Sequence, residues 1–592
     1  MKDKNTLIGA TLLGILFVGM FYYQSTLPKP KNDVKKTEVA TPARVDSFSD
    51  ATQTAALDTA KAETIKAGFA AAGEEKTEVL ENDKIKVSFS NLGGRIASVE
   101  LKEYKTWDKK PLILFTAQSN RFQYILNNNG EKIATNAVFF KEEKVGNTIS
   151  YKATAANGAT IEQIYSLSDE DYKVDYELKL NGITQPVVLD WKSHLLSLEH
   201  SVQTERNYSA LYYKYKGSDV KHLDEAKTED EAKAELDVQW ISFKQQFFNA
   251  TLLSDGAFKK AEFETQHNKD IRTYVKDYTA TAQIATTNGS ADYKMAWYFG
   301  PNRYNILKKA GEDLEEIIKL GYDNFVFNWI KYITRFLTIP TFNILEGLGL
   351  NYGIIILLLT LLLKLLLTPL TWSSIKSAAY MRVLKPEMDE LKKKYGDDQQ
   401  KIAADQMKIY QEAGVNPLGG CLPMLLQLPI LMSMYLFFPN SIELRQQPFL
   451  WATDLSSYDS IWTFSSSLPL IGNHISLFTI LMTATSVAFA VYTQANSGMT
   501  NNQPGMQYMP YIMPVFMMFL FNDFPAALTY YYLLQNVVSM LQQWAIQKFF
   551  IDEASIHARI KENRKNPKPK SKFAQKFEEI QRAQQEQTKN KK

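Results

Sequence analysis

The chain has 592 residues, room for about four domain-sized units. Its 67 Lys plus Arg against 64 Asp plus Glu leave a net charge of +3, too balanced to argue for a nucleic-acid binder. A single cysteine, Cys421, excludes an intramolecular disulfide framework, a cysteine-based zinc cluster and a lipoprotein cysteine behind the first apolar run, and no GxxxxGKS/T segment offers a nucleotide cradle. The mean hydropathy of -0.26 averages over two regimes. Apolar runs at the N-terminus and beyond residue 350 flank a long polar, strand-like stretch, so the chain reads as a membrane protein with a large soluble insert.

Leu7–Tyr23 is apolar and preceded by Lys2 and Lys4. The small residues at Ala40–Arg44 lie well past it, whereas signal cleavage follows the apolar region closely, so 1–24 is expected to be an uncleaved anchor helix. Residues 25–75, with Pro28, Pro30 and Pro42 and then an Ala/Thr/Lys-rich stretch, read as a flexible tether, partly helical near Ala55–Ala72. From 76 to 320 the period becomes two. Ile85, Val87 and Phe89 alternate with polar neighbours, as do Tyr172, Val174, Tyr176, Leu178 and Leu180, and Asn129-Gly130 and Asn157-Gly158 mark turns. This predicts a large antiparallel β-sandwich. His194 and His200 are its candidate acid and base for sugar epimerisation, but sequence places no carboxylate against them, and both read as ordinary packing or surface residues. In 321–348, Val326, Ile330, Ile333 and Leu337 make one face of an amphipathic helix suited to a membrane interface, and Pro340 is expected to end or kink it.

Residues 349–547 offer five further spans of about 20 residues each: Tyr352–Leu370, Leu418–Phe438, Ile475–Tyr492, Tyr508–Phe524 and Ala526–Ile546. The 373–416 connection carries eight Lys/Arg, Pro439–His474 only Arg445, and the 548–592 tail thirteen. Positive charge stays in the cytoplasm, which puts the 373–416 loop, the tail and the N-terminus inside and the sandwich outside. The lysines that follow the first span, Lys29, Lys31, Lys35 and Lys36, run against this, outvoted by the five later spans. The 373–416 loop reads as a helical hairpin. Leu384, Met388, Leu391 and Tyr395 stripe one helix, Gly396-Asp397 makes the turn, and Ile402, Met407 and Tyr410 face back.

The polar residues inside the spans are the informative ones. Lys364 interrupts an aliphatic run, and a charge at a helix centre costs about 2.5–3.5 kcal/mol on insertion scales. Thr360, Lys364, Thr368 and Thr371 share a face; Thr479, Thr483 and Ser486 form a second stripe; Tyr532, Gln535, Ser539 and Gln542 a third; Gln427 adds a point from another span. Lone hydroxyls often only back-bond to their own helix, but three stripes around one lysine predict a shared hydrophilic groove. No acidic residue lies within the spans as its counter-ion apart from Asp523 at the outer end. The fifth span, with Met506, Met509, Met513, Met517 and Met518, is soft and adaptable.

VNPLGGCLPMLLQLPI (Val415–Ile430), preceded by TPLTWSSIKSAAYMRVLKP (Thr368–Pro386), closely resembles the YidC/Oxa/Alb membrane insertases; IELRQQPFLWATDLS (Ile442–Ser456) and YYLLQN (Tyr531–Asn536) strengthen the likeness. The resemblance covers about residues 350–550, while the anchor and outer sandwich resemble the Gram-negative arrangement by architecture. It implies an α-helical membrane protein with a five-helix core plus N-terminal anchor and a large extracytoplasmic, mutarotase-like antiparallel sandwich. It also implies that the chain inserts and folds nascent membrane proteins in the inner membrane, alone or with the Sec translocon, without a cofactor. Lys364 matches the family's groove cation, often arginine in relatives, so that charge is kept while bidentate carboxylate binding is lost. Thr360, Gln427, Tyr532 and Gln535 match other groove positions, and Thr483 and Ser486 join them as the second stripe. Met424 and Leu431 of the third span, with Met509, Met513 and Met517 of the fifth, match its apolar slide. The hairpin matches a substrate-recruiting loop, and the basic tail resembles tails implicated in ribosome contact, although anionic lipid would attract the same charge. Two alternatives stand beside this reading. One is a solute transporter sited in the groove, against which no inverted repeat is visible. The other is a Ser–Lys peptidase, against which no serine shares the Lys364 stripe.

Overall fold

The computed structural model describes residues 63–128, 130–169, 171–268, 273–322, 327–396, 398–415, 422–468, 471–497 and 508–565. The anchor expected at 1–24, most of the tether and the end of the tail lie outside the described residues. The chain divides into two units, one of Lys36–Leu320 with Leu436–Gln446, the other of Met1–Lys35, Gly321–Tyr435 and Gln447–Lys592.

The first unit is built on period-two burial. Along Lys173–Asn181 the residues Val174, Tyr176, Leu178 and Leu180 turn inward while their neighbours stay at or near the surface, as the alternation predicts. Antiparallel pairing joins these strands into a large sheet of fourteen, with a second sheet of four from Thr77–Glu81, Ile85–Ser90, Arg95–Lys105 and Pro111–Phe115. Tyr165 and Tyr176 stack at 4.6 Å, and the Tyr176 hydroxyl donates to Tyr124 at 2.8 Å, so the aromatic core also satisfies its polar tips. The Asn120–Asn128 and Glu131–Ala134 strands pair Asn128 with Glu131. That leaves a two-residue turn whose Gly130 has φ +81°, a conformation that favours glycine. Gly94 is needed for a second reason: a Cβ there would come within 2.8 Å of the Gln163 amide.

Two boundaries differ from the sequence reading. Residues 63–75 are not free tether. Ala67, Phe69 and Ala71 are buried, and the backbone is bonded to Ala156 and Phe139 of the sandwich at 3.0 and 2.8 Å, because burying Phe69 and pairing the chain outweighs the entropy of leaving it loose. The unit also includes Leu436–Gln446, where Arg445 donates to Glu199 at 2.8 Å and to the Lys105 carbonyl at 2.6 Å. The two histidines fall apart. His194 lies cross-strand from Asp277, 2.6 Å away, a carboxylate that sequence could not place, while the His200 ring meets Trp107 edge-on.

Beside Glu199, the short helix α1 (Val202–Asn207), capped by Ser201, buries Glu205. Burial pushes its carboxyl up to about 8, with neighbouring Glu199 adding to the effect. The folded chain therefore keeps a proton that the unfolded chain releases, and stability falls as pH rises between the ordinary carboxyl value and about 8. Glu205→Gln is expected to flatten that decline. Urea midpoints at pH 5 and pH 8, read by tryptophan emission, check it; an equal decline in both chains would assign the pH dependence elsewhere.

The second unit is mainly helical, with a β-hairpin at Trp462–Leu468 and Gly472–Ile475. Beyond α2 (Tyr304–Ala310) of the sandwich unit, α3 (Ile330–Ile333) and α4 (Ile339–Glu346) are joined by a π-turn, Thr334–Thr338. Pro340 does not end this helix. Proline has no N–H for the carbonyl four residues back and its ring crowds that carbonyl, and the wider π-turn just ahead absorbs both, with the Ile339 N–H bonding Thr334. The face packed within the unit shares Ile330 with the apolar stripe but otherwise runs beside it, with Ile333 and Leu337 half-buried. Ile330, Thr334, Thr338 and Phe342 are buried, while Trp329, Tyr332 and Phe336 are exposed; Val326 lies outside the described residues. Thr334 and Thr338 face inward because both hydroxyls bond Ser433, at 2.9 and 3.0 Å.

Next come α5 (Tyr352–Val383), α6 (Lys385–Tyr395), α7 (Gln399–Ala413), α8 (Leu422–Asn440), α9 (Leu477–Ser497), α10 (Met509–Phe521), α11 (Ala526–Phe550) and α12 (Glu553–Lys565). Among the described residues, helices lie within each of the five stretches expected to span; 418–421 of the second fall outside the described residues. Tyr352–Val383 and Leu477–Asn496 are long and apolar enough to cross a membrane, whereas Met509–Phe521 is apolar but shorter. At 1.5 Å per residue α5 is about 48 Å long, beyond the roughly 30 Å of a hydrocarbon core, so the start of the expected 373–416 loop continues this helix. The hairpin itself is α6 and α7, turning at Gly396 with φ +55°. The tail is not wholly free. On α12, Ile556 and Ile560 enter one cluster with Met381, Leu384, Met388 and Tyr410, and Asn563 caps the Ala413 carbonyl at 2.9 Å.

Candidate functional site

The site forms where α5, α8 and α11 bring their polar stripes together. Lys364 is 6% exposed, and its ammonium donates to the Ser539 hydroxyl at 2.7 Å and to Gln427 Oε1 at 3.2 Å. One turn along, Gln542 donates to the Thr368 hydroxyl at 2.9 Å, and Thr368 back-bonds to the Lys364 carbonyl at 2.9 Å. Thr360 is buried and back-bonded to Ile356 at 2.7 Å. Ser539 in turn donates to the Gln535 carbonyl at 2.6 Å, and the buried Gln535 amide nitrogen has no hydrogen-bond partner among the described residues. A buried charge is ordinarily paired, yet among the described residues no carboxylate reaches Lys364. It is held by neutral oxygens alone. Nor do the described residues gather three or more His, Cys, Asp or Glu for a metal.

Other expected members stand apart. Tyr532 is half-buried with its ring against Phe521 at 5.4 Å. Thr483 back-bonds to Thr479, and Ser486 back-bonds to Met482 while accepting from Asn536 at 2.8 Å. The α9 stripe therefore bonds Asn536 rather than Lys364, although Asn536 stands only three positions before Ser539 on α11. Met509 and Met513 are exposed, Leu431 and Met517 half-buried, and the Met424 side chain lies outside the described residues.

Sequence reasoning missed which groups touch the lysine. The stripe on α11 contained Ser539 and Gln542, but only the fold puts them against α5. A serine does reach Lys364, then, from another helix rather than its own stripe. Its hydroxyl donates to Gln535 and accepts from the ammonium, the reverse of the proton path a Ser–Lys nucleophile needs.

A family model described as "60Kd inner membrane protein" matches residues 344–553, and one described as "YidC periplasmic domain" matches 78–337. The chain is 34% identical over 610 aligned positions to the membrane protein insertase YidC of Bacteroides fragilis, covering 99% of this chain and 98% of that one. It is 37% identical to the insertase of the same name in Cytophaga hutchinsonii, with 95% and 93% covered. A solved structure titled "Active YidC insertase crystal structure with the first transmembrane domain resolved" is 20% identical, covers 84% of this chain and 99% of its own, and has a TM-score of 0.33. Matched along nearly its whole length by relatives above 30% identity, the chain belongs to the YidC family of membrane protein insertases, inner-membrane proteins with a periplasmic domain.

Proposed function

We propose that this chain moves nascent transmembrane segments from the cytoplasm into the inner membrane, using the pocket around Lys364 as a transient polar shelter. The observation that carries the reading is a buried ammonium whose partners among the described residues are neutral. Such a group attracts an anion that cargo brings to it. A short acidic extracytoplasmic tail enters from the cytoplasmic side, trading water for Lys364, Gln427, Ser539, Gln535 and Tyr532, with Thr360 in the wall. That lowers the cost of taking a charged tail through hydrocarbon. The apolar part leaves past Leu431 and the exposed Met509 and Met513 into lipid, driven by about 25 cal/mol per Å2 of apolar surface removed from water.

In this reading α5, α8, α9, α10 and α11 are five spans behind an N-terminal anchor. The Lys/Arg-rich hairpin, both termini and the tail are cytoplasmic, and the sandwich is periplasmic. The hairpin receives cargo; the tail beyond α12 meets the ribosome; the Sec translocon is an occasional partner; Thr483 and Ser486 line a second wall next to the groove. The relatives carry the insertase name, and nothing favours the solute-transporter alternative.

Site-specific photo-crosslinking during translation of a short single-span cargo tests this. Probes at Gln427 and Tyr532 are expected to capture cargo, and one on the sandwich is not. Capture on the sandwich alone, with normal insertion, would remove the groove from the path.

A further inference from the structure

The strands Trp462–Leu468 and Gly472–Ile475 form a hairpin with no place yet in the mechanism. Trp462 pairs with Ile475 and Thr463 with His474. Ile475 stands two positions before Leu477, where α9 begins, and α9 is a helix long and apolar enough to cross a bilayer. Paired strands lie about 4.8 Å apart, so Trp462 is held at the level where α9 begins.

The hairpin cannot swing away from that level. Asp459, buried, accepts from the Leu477 and Phe478 amides at 2.9 and 3.0 Å and from the Ser476 hydroxyl at 2.5 Å, capping α9 from a distant loop. The Asn522 amide donates to the Ile471 and His474 carbonyls, both at 2.8 Å. Although fixed, the hairpin leaves an apolar surface uncovered. Trp462 is 66% exposed, Ile461 51% and Leu468 39%. The Trp462 and Phe464 rings lie on one side, 6.1 Å apart. No Asp, Glu, Lys or Arg occurs from Ser460 to Ile475, so the usual guards of an exposed strand are missing.

We propose that this hairpin is a lipid-interface anchor, with Trp462 and Phe464 seated at the headgroup–acyl boundary of the leaflet at the N-terminal end of α9. Three features select lipid over a protein partner: the height set by α9, the absence of Asp, Glu, Lys and Arg from the hairpin itself, whose neighbouring carboxylate is Asp523, 3.7 Å from His474, and tryptophan at a membrane–water boundary. The proposal requires α9 to cross the bilayer and is independent of what cargo the groove takes.

The test uses the full chain in vesicles of lipid brominated along the acyl chain. The emission owed to Trp462, wild type minus Trp462→Phe, is expected to fall by about half or more in brominated bilayers and to resist aqueous iodide, as for an interfacial indole. Quenching by iodide and not by brominated lipid would place the hairpin in water and overturn the proposal. Quenching by neither would mean that a second copy covers it, which overturns the proposal too. A nitroxide at Phe464→Cys in a Cys421→Ser background gives an independent reading. Greater access for oxygen than for a water-soluble nickel complex supports the anchor, and the reverse order rejects it.

Discussion

Replacing Lys364 with alanine is expected to cut insertion of a single-span cargo with an acidic tail roughly 10- to 100-fold, the equivalent of the about 1.5–3 kcal/mol carried by a hydrogen bond to a charged group. Cargo with an uncharged tail should lose far less. The fold is not the expected casualty. Lys364 is a buried cation without a counter-ion among the described residues, so removing its charge relieves a desolvation cost, and Lys364→Met should keep or raise thermal stability while losing the same cargo. Lys364→Arg should retain most activity, since a guanidinium keeps the charge and can grip a carboxylate with two bonds. Insertion assays with matched acidic and neutral tails, run beside melting curves in detergent, separate the two effects. Equal losses for both tails would reject capture by charge.

Arg445→Ala is expected to destabilise the sandwich unit by about 3–5 kcal/mol, the usual cost of removing one partner from a buried ion pair. The Arg445 side chain is 4% exposed, bonds Glu199 and the Lys105 carbonyl, and lies over the Phe248 ring at 5.1 Å. Without it the Glu199 carboxylate loses that bond while staying buried next to Glu205. Urea unfolding followed by far-ultraviolet circular dichroism should show the shift, and Arg445→Met with Glu199→Gln should recover part of it by removing both charges. A single-variant loss below about 1 kcal/mol would mean that the pair is solvated like a surface bridge.

Much of the architecture is legible from local pattern because burial has a period. Alternation in Lys173–Asn181 gives strands, apolar runs give the later helices, and a lysine amid leucines is conspicuous because hydrocarbon penalises charge. Patterns fail where a partner distant in sequence reverses a local preference. Hydropathy marked Ile333 and Leu337 as part of an apolar stripe suited to a membrane interface, but could not show that Ser433 buries Thr334 and Thr338 beside it. The tail reads as basic and exposed, yet Ile556 and Ile560 find an apolar pocket on the hairpin helices. Asp459 looks like one more loop acid until the fold brings it to the first amides of α9.

The sequence by itself determined the two regimes, the strand and helix periods, the family likeness and the presence of a costly lysine within a span, because each is written in residues close together along the chain. Tertiary structure alone decided that Ser539 and Gln427 hold that lysine, that the α9 hydroxyls serve Asn536 instead, and that Arg445 belongs to the core of the sandwich unit. Each of these is a hydrogen bond or ion pair between residues tens to hundreds of positions apart, and what selects it is the need to satisfy a buried polar group with whatever partner the packing brings within reach.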